Sequence, residues 1–300
     1  IASFSIFNPV EVMGQMTAMI RSMEASLDRV ERIKGEKNID DGGGDISLKS
    51  YDIVFDHVSF SYEQGTKILD DVSFTIERGK TLGVVGESGC GKSTLLSLLC
   101  GLLTPEEGSI VIDGIDRRDS PAVIGYMLQK DHLFEWRSIL SNTALGLEIH
   151  GNVSPDDKKD LLSMLKTYGL EQFSASRPSE LSGGMRQRAA LIRTMALKPD
   201  ILLLDEPFSA LDYQTRLEVC DDISSIIRTR GKTAILVTHD LSEAISVADR
   251  ILILGSRPGH VTGIMKIQFN QPYDRPLARR NAPDFSVYFN QLWKEIKEHE

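Results

Sequence analysis

Residues 86–94 constrain the fold of this 300-residue chain more than any other stretch. They read Gly86, Glu87, Ser88, Gly89, Cys90, Gly91, Lys92, Ser93 and Thr94, which satisfies G-x-x-x-x-G-K-[ST] with an additional glycine at Gly89. The preceding run, Thr81 to Val85, predicts a short buried strand, and Leu95 to Leu99 predicts an apolar helix immediately after. A strand, a glycine-rich loop and a helix in that order make a phosphate-binding loop. The glycines let successive backbone N–H groups turn towards one anion, and the helix adds its free amides and positive dipole end. In such a loop Lys92 reaches the β- and γ-phosphates of a nucleotide, and the Ser93 hydroxyl ligates Mg²⁺. A glycine-rich turn that merely joins strand to helix would not need the Lys-Ser pair.

Whole-chain properties narrow the setting. The net charge of −9 argues against a broad nucleic-acid footprint. No apolar run approaches the roughly eighteen residues that a membrane span requires, and Asn8, Pro9, Glu11 and Gln15 interrupt the opening stretch. Three scattered cysteines, Cys90, Cys100 and Cys220, suggest neither a disulfide framework nor a metal cluster, and fit a reducing cytosol. Cys90 lies inside the phosphate loop, so thiol modifiers are expected to block nucleotide binding. The first residue, Ile1, is not Met, so a natural start upstream of it is expected.

The chain changes character along its length. Met13, Met16, Ile20, Met23, Leu27 and Val30 follow a two-in-seven spacing, a narrow apolar stripe that suits a partner helix or a return onto its own domain. Residues 35–50 read as a flexible acidic linker, which sets a domain boundary at about residue 50. From residue 51 the pattern becomes strand-like, with Ile53, Phe55, Val58, Phe60 and Tyr62 alternating apart from one slip in phase, a turn at Glu63-Gln64-Gly65, and a second strand from Ile68 to Ile76. Further strands are expected at Ser109–Ile112 and Val123–Leu128, and helices at Asp156–Leu165 and Gly184–Leu197. Beyond them strand and helix alternate: Ile201–Leu204, Gln214–Ile227, Thr233–Thr238, Leu241–Val247 and Arg250–Leu254. That order predicts an α/β fold with a mainly parallel sheet covered on both faces and an antiparallel β layer ahead of the phosphate loop.

Ile201 to Leu204 run into Asp205 and Glu206, so the acids fall at the carboxyl edge of a buried strand, where open α/β sheets bind ligands. Asp205 is positioned to hold Mg²⁺ through its water shell, and Glu206 to polarise an attacking water.

Leu181-Ser182-Gly183-Gly184-Met185-Arg186-Gln187-Arg188 resembles the signature of the ATP-binding cassette (ABC) ATPases, the engines of ABC transporters. Ser-Gly-Gly opening a helix is by itself only an N-cap; between a phosphate loop and an Asp-Glu strand it carries weight. The resemblance implies a P-loop NTPase of the ABC ATPase type, with a helical subdomain at about 130–190. The domains are then an N-terminal helix and linker (1–50), the ATPase domain (51–260) and a C-terminal tail with a helix (261–300). It also implies that Ser182, Gly183 and Gly184 face the γ-phosphate held by a second ATPase subunit, so that two copies close over two ATP molecules. Tyr62 is similar to the aromatic that stacks on adenine. Gln129 is similar to the glutamine that ligates Mg²⁺ and senses the γ-phosphate, and His239 to the switch histidine that contacts it. Ser209-Ala210-Leu211-Asp212 resembles the segment that signals across the dimer.

Within the family, two features point in different directions. Gln129 to Arg137, Asn142 to Glu148, Met185 to Arg188, Ser256-Arg257-Pro258-Gly259 and the Trp293-bearing tail resemble the ATPase subunits of nitrate, sulfonate and taurine importers, though Phe134-Glu135 replace the usual Leu-Pro. Residues 1–80 instead resemble the end of an exporter's last membrane helix, its linker and the first strands of its cassette. The importer type is favoured, with ATP and Mg²⁺ as cofactors, a transmembrane permease subunit and a solute-binding protein as partners, and a peripheral position on the cytoplasmic face of the membrane. Leu133 to Ile139 would then meet the permease through Phe134 and Trp136, or else pack within the helical subdomain. An exporter cassette and a non-transport, ATP-gated binding module are the alternatives.

Overall fold

The computed structural model describes residues 52–62, 65–151, 153–209, 211–271, 273 and 275–298. The chain divides between Ser47 and Leu48, and the described residues all belong to the second unit. The apolar stripe from Met13 to Val30, the acidic linker, the turn residues Glu63 and Gln64, and Ala210 lie outside the described residues.

In chain order the first elements are β1 (Ile53–Ser61), β2 (Lys67–Ile76), β3 (Thr81–Gly86), α1 (Lys92–Leu99), β4 (Glu107–Ile112), β5 (Ile115–Asp116) and β6 (Ile124–Met127). Three helices follow, α2 (Ile139–His150), α3 (Pro155–Thr167) and α4 (Gly183–Ala196). The chain then alternates through β7 (Ile201–Asp205), α5 (Tyr213–Thr229), β8 (Thr233–Val237), α6 (Leu241–Val247) and β9 (Arg250–Leu254), and ends with β10 (Val261–Lys266), α7 (Pro276–Arg280) and α8 (Phe285–Glu298).

β2-β1-β4-β5 form an antiparallel sheet. The phase slip in β1 has a physical cause: His57 adopts a positive φ of 51° and the β1–β2 register shifts between Phe55 and Val58, a bulge that restores the inward face. Opposite each other in that register, Phe55 and Phe74 stack at 4.4 Å.

The second sheet runs β10-β9-β3-β8-β7-β6, parallel except for its edge strand β10. Every residue of β7 and β8 is buried, as a sheet covered on both faces requires. The alternation is visible in β7: Ile201 and Leu203 join the core under α1 and the antiparallel layer, while Leu202 and Leu204 pack with Val219 and Ile223 of α5. Leu133, Ile139, Leu161, Leu165, Ala189 and Ile192 make a separate core for α2–α4.

Sequence periodicity did not mark α2, whose start is built around a buried amide. Asn142 donates to the carbonyls of Phe134, Arg137 and Ser138, and its oxygen accepts from Phe134 N–H at 2.7 Å. Residues 261–298 pack onto the sheet unit: β10 extends the sheet, and Leu292 of α8 is fully buried against Met265, Ile251 and Ala244.

Candidate functional site

The parallel strands deliver their carboxyl ends to one edge. In register, Met127 lies beside Leu204, Leu204 beside Leu236, and Asp205 beside Val237, so the residues just beyond these ends meet at one level. Glu206 N–H donates to the Val237 carbonyl at 2.9 Å, and Thr238 N–H to that of Val84 at 3.2 Å. A cleft of about 560 Å³ opens there, lined by Tyr62, Ile68, Ser88, Gly89, Gly91, Lys92, Ser93, Thr94, Gln129, Glu206, His239 and Arg257.

The glycine-rich loop connects β3 to α1, and its glycines take left-handed backbone at Gly89 (φ 85°) and Gly91 (φ 96°), a geometry that favours residues without Cβ. Gly91 is the N-cap of α1, and Lys92 is its first residue. The Lys92 ammonium, largely buried, donates to the Gly86 and Glu87 carbonyls, each at 2.7 Å. Such a loop presents both amides and a cation to an anion in the cleft.

Three of the sequence-selected polar residues converge on one atom. Gln129 Nε2 donates to Glu206 Oε2 at 3.0 Å, and His239 Nδ1 lies 3.2 Å from the same oxygen. Glu206 itself sits at φ 44°, a left-handed position uncommon for a residue with a side chain. Next to it, the buried Asp205 accepts from Ser93 and, at 3.3 Å, from the Tyr126 hydroxyl. Burial raises the Asp205 carboxyl above its ordinary range, and the Glu206 charge adds to this; the Ser93 and Tyr126 bonds and the Lys92 charge oppose it. The Tyr126 phenol is raised in turn, by burial first and then by Asp205.

Among the described residues no group of three or more His, Cys, Asp or Glu is arranged to hold a metal. Ser93, Asp205 and Gln129 instead offer a small set of oxygen donors, which suits an ion that keeps waters and shares phosphate oxygens, as Mg²⁺ does.

Tyr62 stands at the open end of the cleft, 61% exposed, with its hydroxyl 3.3 Å from Thr94 Oγ1 and its ring edge-on to Phe60 at 5.1 Å. Glu87 and Cys90 belong to the loop but do not line the cleft. The expectation of a thiol-sensitive loop meets a sealed side chain: Cys90 is buried, and desolvation raises its thiol, which the nearby Lys92 charge only partly offsets.

Ser182, Gly183 and Gly184 do not line this cleft within one chain. Ser182 N-caps α4, accepting from Met185 N–H at 3.4 Å. The same helix grips the segment after Gln129: Arg186 pairs with Asp131 at 2.9 Å and Glu135 at 3.0 Å, and Arg193 donates to the carbonyls of Asp131 and His132. Burial alone would raise Asp131, yet the Arg186 pairing holds its carboxyl below the ordinary value. Within that segment Leu133 and Ile139 are core residues, whereas the Trp136 ring is 71% exposed and lies 4.6 Å from Phe134. Ser209 and Asp212 lie just past Glu206: Ser209 Oγ donates to the Glu206 carbonyl at 3.1 Å, and Asp212 caps α5.

Sequence reasoning did not select Ile68 or Arg257 for the cleft. Arg257 is 168 residues from Gly89 in the chain, and its Nε donates to the Gly89 carbonyl at 3.1 Å. The only available signal was the Ser256-Arg257-Pro258-Gly259 run, which carried no role of its own.

Residues 69–209 match the ABC transporter family. The chain is 43% identical over 240 residues to the uncharacterized ABC transporter ATP-binding protein YtlC of Bacillus subtilis (strain 168), covering 80% of this chain and 92% of that protein. It is 40% identical over 210 residues to the taurine import ATP-binding protein TauB of Yersinia pestis bv. Antiqua, covering 70% of this chain and 82% of TauB. Among solved structures, it resembles the dimeric post-hydrolysis state of the ATP-binding cassette MJ0796 bound to ADP and Pi, with a TM-score of 0.64 and 31% identity over 72% of this chain and 99% of that one.

Proposed function

The chain belongs to the ATP-binding proteins of ABC transporters, and from that premise we propose that it is the ATP-hydrolysing subunit that energises solute transport through a separate membrane permease, of the importer type named for its taurine relative. The observation that carries the reading is the meeting of Gln129 and His239 on a single Glu206 oxygen at the mouth of the phosphate loop.

Phosphoryl transfer is catalysed chiefly by positioning and electrostatics. The loop amides and Lys92 would cradle the β- and γ-phosphates, with Lys92 exchanging its hold on the Gly86 and Glu87 carbonyls for phosphate oxygens. Tyr62, at the open end, would stack on the adenine. Ser93, Asp205 and Gln129 would hold Mg²⁺, which when bound neutralises charge on the phosphate oxygens. Glu206 would accept a hydrogen bond from the attacking water and take its proton, its carboxylate oriented by Gln129 and His239. His239, on the same oxygen, is then within reach of the γ-phosphate once water and nucleotide occupy the cleft.

Ser182, Gly183 and Gly184, which do not line their own cleft, would cover the γ-phosphate of a second copy; this is supported by the dimeric form of the MJ0796 cassette. Phe134 and Trp136 offer an aromatic pair, the Trp136 ring exposed and Phe134 partly buried beside it, as the contact for a permease helix. No helix among the described residues is long and apolar enough to cross a membrane, so membrane association would run through that permease, on its cytoplasmic face, with a solute-binding protein completing an importer.

The test is Glu206→Gln. The variant should bind MgATP as tightly as the parent and accumulate as an ATP-bound dimer, while phosphate release falls by at least about a hundredfold. Turnover at the parental rate would remove Glu206 from the chemistry and the proposed mechanism with it.

A further inference from the structure

The loop between β9 and β10 is wedged into the wall of the cleft rather than projecting from it. Gly259 N–H donates to the Ile68 carbonyl at 2.8 Å, and Asp70 N–H donates to the Gly259 carbonyl at 2.9 Å, so the loop is hydrogen-bonded to β2. On its other side Gly259 lies against the Cys90 carbonyl of the phosphate loop, with no room for a Cβ. Gly255 N–H closes the loop onto the His260 carbonyl at 2.9 Å. Arg257 is carried at the apex of this fixed turn. Its Nε is used by the Gly89 carbonyl, and its guanidinium lines the same cleft as Lys92 and Ser93. Among the described residues no carboxylate forms an ion pair with it; the guanidinium lies along Gly89 with one Nη against that residue, and the side chain is exposed where it lines the cleft.

Resting on the nucleotide reading above, we propose that Arg257 is a nucleotide-binding residue that donates Nη hydrogen bonds to the polyphosphate of the bound nucleotide from its place beside Gly89. The guanidinium is well suited to this: it is always charged, its planar fork matches phosphate oxygens, and the Nε bond to Gly89 holds that fork in place before the ligand arrives. The turn also joins the two walls of the cleft. It bonds the strand that carries Ile68 and touches the loop that grips the phosphates, so Arg257 is placed by the same backbone that shapes the pocket.

The experiment is calorimetric titration of MgATP into the full chain and into Arg257→Ala, Arg257→Lys and Arg257→Gln, with the melting temperature of each nucleotide-free protein as a fold control. A charge-assisted phosphate contact predicts affinity about tenfold weaker in Arg257→Ala and Arg257→Gln, with Arg257→Lys recovering part of the loss, since it keeps the charge but not the fork. Steady-state hydrolysis should show the same loss in KM, with kcat at saturating ATP within about twofold of the parent. Arg257→Gln binding as well as the parent would mean that the side chain only props the Gly89 carbonyl, and the assignment would be overturned. Equal binding by Arg257→Ala, or Arg257→Lys no better than Arg257→Gln, would overturn it as well. If the unaltered chain itself fails to bind MgATP, the nucleotide reading falls; if it binds and the variants match it, only the role of Arg257 falls.

Discussion

Replacing Gly259 with alanine probes how firmly the β9–β10 turn supports the phosphate loop. A Cβ at this position would collide with the Cys90 carbonyl oxygen and would sit 3.1 Å from a Leu69 methyl carbon. The carbonyl belongs to main chain, and the Gly259 N–H and C=O are both engaged with β2, so neither partner can swing away as a side-chain tip would. Overpacking of this kind costs about 1–3 kcal/mol. If one or both hydrogen bonds to β2 weaken in the process, each adds about 1 kcal/mol. A total of about 2–5 kcal/mol in a unit of this size corresponds to a melting temperature lower by roughly 4–20 °C, at about 2–4 °C per kcal/mol. The damage should not be confined to stability, because the displaced carbonyl lies between Gly89 and Gly91. Affinity for MgATP should fall with it, by about tenfold or more, if the loop relaxes in the folded protein. Differential scanning calorimetry and nucleotide titration on the purified variant read both effects. A melting temperature within about 1 °C of the parent, together with unchanged affinity, would mean that the turn has slack and that its support of the loop has been misjudged.

Tyr62→Ala should weaken ATP binding by about 1–3 kcal/mol, with Tyr62→Trp retaining most of it, if the exposed ring serves as a stacking platform; equal titration curves for all three proteins would dismiss that role. Leu292→Ala, in a fully buried position of α8, should cost about 2–5 kcal/mol of stability measured by urea unfolding, whereas a loss below about 0.5 kcal/mol would show that α8 is not part of the core. Glu243 is buried, and desolvation raises its carboxyl against the opposing bond from the Thr238 hydroxyl. A carboxyl raised in the folded protein contributes its full stability below its unfolded pKa of about 4.3, and that contribution is lost as pH climbs through the higher folded value. Glu243→Gln, with no proton to lose, should therefore show a smaller fall in melting temperature than the parent from about pH 4 towards neutrality; parallel profiles would refute this.

Most of the fold was legible because its signals are local. The strand at Ile201–Asp205, the helix over Tyr213–Thr229 and the strand at Thr233–Val237 announced themselves by apolar runs and caps within a residue or two of where they lie. The phase slip in β1 was visible as a break in alternation, although its origin in the backbone of His57 was not. α2 escaped notice because what organises its start is not periodicity but the four hydrogen bonds of Asn142 to the preceding turn. β10 escaped as well: Val261 to Lys266 has only one buried residue, Met265, since it pairs at the sheet's edge and exposes much of its length.

By itself, the sequence determined which residues are chemically fit for the site. Gly89 and Gly91 are required by backbone angles, Lys92 by its place at the start of a helix, and Asp205 and Glu206 by the end of a buried strand; each of these requirements is met within a few residues of chain. Tertiary structure alone decided which of them share a space. Gln129 and Glu206, 77 residues apart, are hydrogen-bonded because β6 and β7 are neighbours in the sheet, and Arg257 reaches Gly89 because β9 lies beside β3. It also left Ser182, Gly183 and Gly184 outside the lining of their own chain's cleft. Strand order is chosen by how the two faces of the sheet are buried over the whole unit, and no single stretch of residues carries a mark of it.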